Sequence, residues 1–196
     1  MSDSEFKAML ELLSMLVLDW RTGILFGLLL IAAITDYRTH RIPNWLVLSG
    51  ALFGVIYNIA VPPFLHASWL WPLQGLGLGF VVFLPLYLLG VMGAGDVKLM
   101  AMVGAIIGPI DTVWVLLYTM ITGGVLSIVM VLARGTATRL WRNLSTLFQL
   151  GFLNMLSGVR PDLHIDARLS AGKLPYGVAI AIGTIGYLTL HQLGFL

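Results

Sequence analysis

The sequence predicts an all-α, polytopic membrane protein with about six transmembrane helices and one or two amphipathic helices at the membrane surface. Of its 196 residues, 59% are hydrophobic and only 10% are charged, whereas soluble domains carry about 25% charged residues. The mean hydropathy is +0.95. The apolar residues fall into six runs that Pro, Gly and charged residues separate. This composition is typical of an integral membrane protein.

The six apolar runs give the predicted spans in chain order. They cover residues 22–35, 44–61, 73–92, 96–108, 113–133 and 174–193. The first is short for a bilayer, which needs about 20 residues. Either this helix begins earlier, or Asp36 lies a little below the membrane surface. The fourth run is short as well.

Two local features refine this prediction. Gly75, Gly77 and Gly79 give the third span a small-residue face, which we expect to permit close helix packing. Residues 109–112 are expected to form a turn, in which Asp111 caps the fifth span.

Two segments are expected to lie on the membrane surface, so the chain is divided into residues 1–21, an interfacial segment, and 22–196, a six-helix membrane domain. Residues 5–18 are apolar but carry three charges, which favours a surface helix over an extension of the first span. The loop 134–173 is the longest polar stretch. Within it, apolar side chains recur at mostly helical spacing over 140–152, which favours an interfacial helix over a seventh span.

The basic residues predict the orientation in the membrane. Arg38 and Arg41 follow the first span, Lys98 lies after the third, and six Lys or Arg follow the fifth, whereas the second and fourth loops have none. Because cytoplasmic loops carry the excess of Lys and Arg, both termini are predicted to lie outside. With a net charge of only +2, the basic residues are expected to report topology and lipid contact, and no nucleic-acid partner is expected.

Several chemistries have no support in the sequence. There is no Cys, which excludes disulfides, thiolate metal sites and Cys nucleophiles. The four His residues are scattered, without the spacing of metal ligands. We therefore expect neither a metal nor another cofactor.

The segment GAGDVKL at residues 93–99 places Asp96 beside two long apolar runs. A carboxylate at such a position is costly and marks a candidate functional site. Gly93 and Gly95 remove side-chain bulk and leave room for a substrate backbone to approach. Asp96 is also well placed as an N-cap of the fourth span.

A second acid, Asp36, ends the first span, and the predicted orientation places it on the cytoplasmic side with Asp96. Two carboxylates a few Å apart share a proton. One can then take a proton from water while the other donates to a scissile carbonyl. The ends of the two spans favour more charge on Asp96 and more of the shared proton on Asp36.

Each of these residues also has a simpler interpretation. A lone Asp at the end of a span is usually a cap or a solvated loop residue. Lys98 is most simply an anchor that extends to the membrane surface, although it could also lie near the carboxylates. Two other functions stay open: an ion or proton transporter that uses both acids, and a non-catalytic membrane assembly factor in which the glycines serve packing.

The motifs resemble those of a known family. GAGDVKL is similar to the Gly-x-Gly-Asp-x-Lys-Leu motif of the type IV prepilin peptidases, and DYR at 36–38 with IPN at 42–44 resembles their first catalytic region. PYGVAIA at 175–181 resembles their last span. The similarity is closest to the short members that serve tight-adherence (Flp) pilus systems.

The resemblance implies a cofactor-free intramembrane aspartyl endopeptidase in the bacterial cytoplasmic membrane. Its partners would be membrane lipids and a prepilin, whose short leader it removes at the cytoplasmic face. Asp36 and Asp96 match the catalytic pair. The residues expected to position the substrate backbone are Gly93, Gly95, Lys98, Arg38, Pro43 and Asn44. Longer members also methylate the new N-terminus through a domain with paired cysteines; without cysteines, no methyltransferase activity is expected here.

Overall fold

A computed structural model describes residues 20–61, 68–133, 135 and 175–195 of the chain. These parts are built from α-helices and contain no strand, so the all-α prediction is confirmed for them. The proposed surface segments at residues 1–21 and 134–173 lie almost entirely outside the described residues. Their interfacial character therefore stays a prediction.

Six helices follow one another along the described chain. They are α1 (Trp20–Thr39), α2 (Asn44–Ala60), α3 (Trp71–Leu88), α4 (Ala94–Ile107), α5 (Pro109–Ala133) and α6 (Tyr176–Gln192). The first helix starts before the predicted residue 22 and extends beyond 35. This extension gives α1 a bilayer-length run of 20 residues and places Asp36 inside its C-terminal part.

The junction between α4 and α5 is shorter than predicted. The expected turn at residues 109–112 is wrong, because α5 already begins at Pro109. Gly108 alone separates the two helices, and its φ of +85° is a conformation that glycine adopts without strain. Pro109 then fits the first helical position, where its missing N–H costs no hydrogen bond.

Helix α4 forms the centre of the bundle. From Asp96 to Ile107, every residue except Lys98 is buried, and α4 contacts α1, α2, α3 and α6. With 14 residues, α4 is about 21 Å long, which is shorter than a bilayer core. A helix enclosed by other helices does not need to match the thickness of the lipid.

Helix α3 packs against α4 through glycine. A Cβ at Gly75 would overlap the Gly104 carbonyl, and a Cβ at Gly79 would lie 2.5 Å from the Met100 carbonyl oxygen. The predicted small-residue face is thus confirmed for Gly75 and Gly79. It is wrong for Gly77, which has open space around it, because a residue two positions away faces the other side of a helix.

Buried polar contacts hold the C-terminal end of α4 in place. The Asn58 amide is 3% exposed and donates to the carbonyl oxygens of Ala105 and Ile106, both at 3.0 Å. Its Oδ1 accepts a hydrogen bond of 3.0 Å from Arg21. This one side chain therefore links α1, α2 and the last turn of α4, whose carbonyls lack partners within the helix.

Three of the described helices are long and apolar enough to cross a membrane: α1, α3 and α5. Their outer faces carry exposed apolar side chains such as Leu30, Val81 and Ile121, as expected for surfaces in contact with lipid tails. Helix α2 is apolar but shorter. The structure therefore supports a membrane protein, and the count of six spans stays a prediction.

The contacts divide the chain into two compact units. One comprises residues 1–123 and 175–196, and the other comprises residues 124–174. In the second unit, the described residues are the last part of α5 and Gly135. The division into residues 1–21 and 22–196 stays a prediction.

The α3–α4 contact gives a matched pair of substitutions. Gly75→Ala places a methyl group against the Gly104 carbonyl and should lower the free energy of unfolding by about 1–3 kcal/mol. Gly77→Ala meets open space and should leave it unchanged or raise it by up to about 1 kcal/mol, through helix propensity. Unfolding of the purified protein in mixed detergent micelles measures both. Equal stability of the two variants would contradict this packing.

Candidate active site

Asp36 lies near the C-terminal end of α1 and is only 5% exposed. Its Oδ2 accepts a hydrogen bond of 2.7 Å from the backbone N–H of Gly177 at the start of α6. The two residues are 141 positions apart in the sequence. The hydrogen-bonding requirement of the Asp36 carboxylate is thus met by a helix near the other end of the chain.

Asp96 is held within its own helix. It is 7% exposed, and its Oδ2 accepts a hydrogen bond of 2.9 Å from the N–H of Gly93. Gly93 is the N-cap of α4, so the expectation that Asp96 itself is the N-cap is wrong. Asp96 lies three residues further on, where an acidic side chain reaches back to the N-cap N–H, as it does in a capping box.

The structure places these two acids within electrostatic range of each other. The charge of Asp36 acts on Asp96, although the two residues come from α1 and α4. The described chain contains three acidic residues, Asp36, Asp96 and Asp111, and only Asp36 and Asp96 are buried. A pair of buried, interacting carboxylates is an arrangement suited to acid–base chemistry.

The hydrogen bond from Gly177 changes how the helix dipoles act on the two carboxylates. Asp36 lies at the C-terminal end of α1, but it also accepts an N–H from the first turn of α6. Asp96 lies in the first turn of α4. Since both carboxylates meet a helix N-terminus, where negative charge is favoured, the dipoles alone do not distinguish them. The predicted bias of charge toward Asp96 therefore loses its basis in the helix ends.

Gly177 allows this close contact because it has no side chain. A Cβ there would lie 2.9 Å from the Asp36 Oδ2 and 3.0 Å from the Asp36 Cβ. Real Cβ atoms do not approach so closely without displacing their neighbours. Any larger residue would therefore push α6 away from α1.

The other predicted site residues lie on the helix ends that carry the two acids and at the start of α2. Gly95 packs against Ile42, where a Cβ would lie 3.3 Å from the Ile42 Cβ. Pro43 is the N-cap residue of α2, and Arg38 is exposed in the last turn of α1. The end of α1 and the starts of α2 and α4 thus meet at one end of the bundle.

Lys98 and Asn44 bind each other. The Lys98 ammonium donates to the Asn44 Oδ1 at 3.1 Å, and both residues are exposed. Lys98 follows Asp96 by two positions, which corresponds to a rotation of about 200° around a helix. The structure therefore places Lys98 on the side of α4 away from the carboxylate of Asp96.

Three residues near the pair were missing from the predicted site. Besides Gly177, the Tyr176 side chain interacts electrostatically with Asp96, and His40 interacts with Asp36. The PYG motif at residues 175–177 contains both Tyr176 and Gly177 and was the sequence signal that could have identified them. His40 is the first residue after α1, and its backbone N–H donates to the Asp36 carbonyl oxygen at 2.8 Å.

Comparison with protein families gives one match. The family model of the type IV leader peptidase family matches residues 23–128. This range includes both Asp36 and Asp96 but ends before α6, which supplies Gly177. Comparison with curated proteins and with solved structures finds no significant match. Because the family model covers more than half of the 196 residues, the chain belongs to the type IV leader peptidase family.

Proposed function

We propose that this protein is an aspartyl endopeptidase that removes the leader peptide of type IV prepilins of the Flp type, with Asp36 and Asp96 as its catalytic pair. The observation that carries the proposal is a pair of buried carboxylates from α1 and α4, in which the charge of Asp36 acts on Asp96. Membership of a leader peptidase family supports the reaction class. The hydrolysis needs no cofactor.

In the proposed reaction the two carboxylates share one proton, because two neighbouring like charges disfavour double ionisation. The charged carboxylate takes a proton from water, and the water oxygen attacks the carbonyl carbon of the scissile bond. The neutral carboxylate donates its proton to the carbonyl oxygen. The tetrahedral intermediate then collapses, the C–N bond breaks, and a proton passes from the pair to the leaving amine.

The surrounding backbone holds the pair in place for this step. The N–H groups of Gly177 and Gly93 each fix one carboxylate oxygen, and the backbone N–H of Val178 also acts on Asp36. Gly95 packs closely against Ile42, which joins the start of α4 to the segment between α1 and α2. Pre-orientation of reacting groups in this way accounts for a large part of enzymatic rate enhancement.

The remaining motif residues have indirect roles in the proposal. Pro43 begins α2, and the hydrogen bond between Lys98 and Asn44 fixes the start of α4 beside it. Arg38 is exposed at the same end of the bundle, where it can meet an acidic substrate residue or a lipid phosphate.

The predicted topology agrees with such a substrate. A prepilin carries a short basic leader immediately before a long hydrophobic helix, so its cleavage site lies at the membrane edge. Arg38, Arg41 and Lys98 favour a cytoplasmic location for the end of the bundle that holds the pair. We therefore place the proposed reaction at the cytoplasmic face of the bacterial inner membrane.

Replacement of either acid should remove most of the peptidase activity. Asp36→Asn and Asp96→Asn should each lower the rate of prepilin cleavage by at least about 100-fold, because each removes one partner of the acid–base pair. A cell-free assay with purified enzyme and a prepilin substrate measures the rate. Asp111→Asn is the matched control, since Asp111 is the third described acid and bonds to Tyr187; it should keep most activity. Substantial activity in either Asp36→Asn or Asp96→Asn would show that the two acids do not act as a catalytic pair.

The start of α6 should also affect cleavage, through its contact with Asp36. Gly177→Ala should lower cleavage about 10-fold or more, because the added methyl group displaces the N–H that orients Asp36. Gly186→Ala in the same helix meets no neighbouring atom within 4 Å and should cleave like the wild type. Circular dichroism checks that both variants remain folded. If the two variants cleave at the same rate, Gly177 does not position Asp36.

A further inference from the structure

A groove on the outside of the bundle lies apart from the proposed catalytic pair. It has a volume of about 320 Å³ and is bounded by α2, α3 and α4. Seven of its nine lining residues are apolar, and the other two are Asn44 and Lys98. Leu48 and Phe80 on its walls are exposed, so the groove opens toward the surroundings of the bundle.

The groove has one polar end. Asn44 is the first residue of α2, and Lys98 lies in the first turns of α4. The apolar walls continue along the helices toward Ala51, Leu76 and Met102. The result is an apolar slot with a single cation at one end, which matches the division of a lipid into a polar headgroup and an acyl chain.

The polar end retains unused hydrogen-bonding capacity. An ammonium has three donors, and Lys98 uses one of them on the Asn44 Oδ1. No carboxylate of the described residues pairs with Lys98. Because Asn44 accepts through its oxygen, its amide N–H groups face away from Lys98 and can donate. Together the two side chains offer positive charge and several donors, the chemistry that binds a phosphate.

The size of the groove argues against a helix as its occupant. An α-helix with its side chains is about 10 Å wide. A cylinder of that width and a volume of 320 Å³ would be only about 4 Å long, which is less than one helical turn. A single extended chain fits such a slot better than the transmembrane helix of a substrate.

We infer that the groove is a binding site for one anionic phospholipid, whose phosphate binds Lys98 and Asn44 and whose acyl chain lies along α2, α3 and α4. Charge complementarity at the polar end selects an anionic lipid over one with a zwitterionic headgroup. The apolar walls account for the rest of the contact. The bound lipid would fix the start of α4, which also carries Asp96.

Native mass spectrometry of the purified full chain tests this site with added phosphatidylglycerol or phosphatidylcholine. The wild type should retain one phosphatidylglycerol roughly fivefold more strongly than phosphatidylcholine, the factor expected for one cation near an anionic headgroup. Lys98→Gln should remove this preference, and Lys98→Arg should keep it. Arg41→Gln removes the same charge from an exposed residue outside the groove and should bind like the wild type.

A second pair of variants tests the apolar part. Ala51→Phe fills the groove and should reduce phosphatidylglycerol retention several-fold, whereas Leu52→Phe, next to it on α2 but outside the groove, should not. Equal retention of both lipids by the wild type, or unchanged binding in Lys98→Gln, would overturn the inference. So would displacement of the lipid by a synthetic prepilin transmembrane peptide, which would assign the groove to the substrate. The readout is lipid retention, so it is independent of peptidase activity.

Discussion

The structure depends on how two buried carboxylates are kept satisfied inside an apolar bundle. A buried acid without partners is costly, and both Asp36 and Asp96 receive a backbone N–H from the start of a helix. For Asp96 the donor is local, three residues away. For Asp36 it is the start of α6, so the last helix must return to the end of α1. The contact between Gly177 and Asp36 therefore links the chemistry of the site to the closure of the bundle.

The rest of the bundle serves to place the start of α4. Glycine contacts bring α3 close to α4. Asn58 fixes the C-terminal end of α4 through the carbonyls of the last turn of that helix. At the N-terminal end of α4, the hydrogen bond between Lys98 and Asn44 joins α4 to α2. A short central helix that is held on several sides can present one carboxylate at a defined position, although it is too short to span a bilayer alone.

Much of this arrangement could be predicted from local sequence. The features that could not be predicted are those that depend on contacts between distant parts of the chain. Asp36 and Asp96 stood out because charges beside long apolar runs are rare, and the motifs around them resembled one family. The direct contact between Asp36 and Gly177 spans 141 positions, and no local pattern encodes it. The turn predicted at residues 109–112 was wrong because Gly108 alone separates α4 from α5. Gly77 was misassigned because spacing by two residues does not keep one helix face.

The central claim is that Asp36 and Asp96 act together on one peptide bond. The most direct measurement is an experimental structure of the protein with a prepilin-like peptide in which a hydroxyl-bearing isostere replaces the scissile amide. Such a hydroxyl imitates the tetrahedral intermediate. We expect it to lie between the two carboxylates, within about 2.6–3.2 Å of an oxygen of each. An isostere bound elsewhere, or carboxylates too far apart to contact one hydroxyl, would contradict the proposed mechanism.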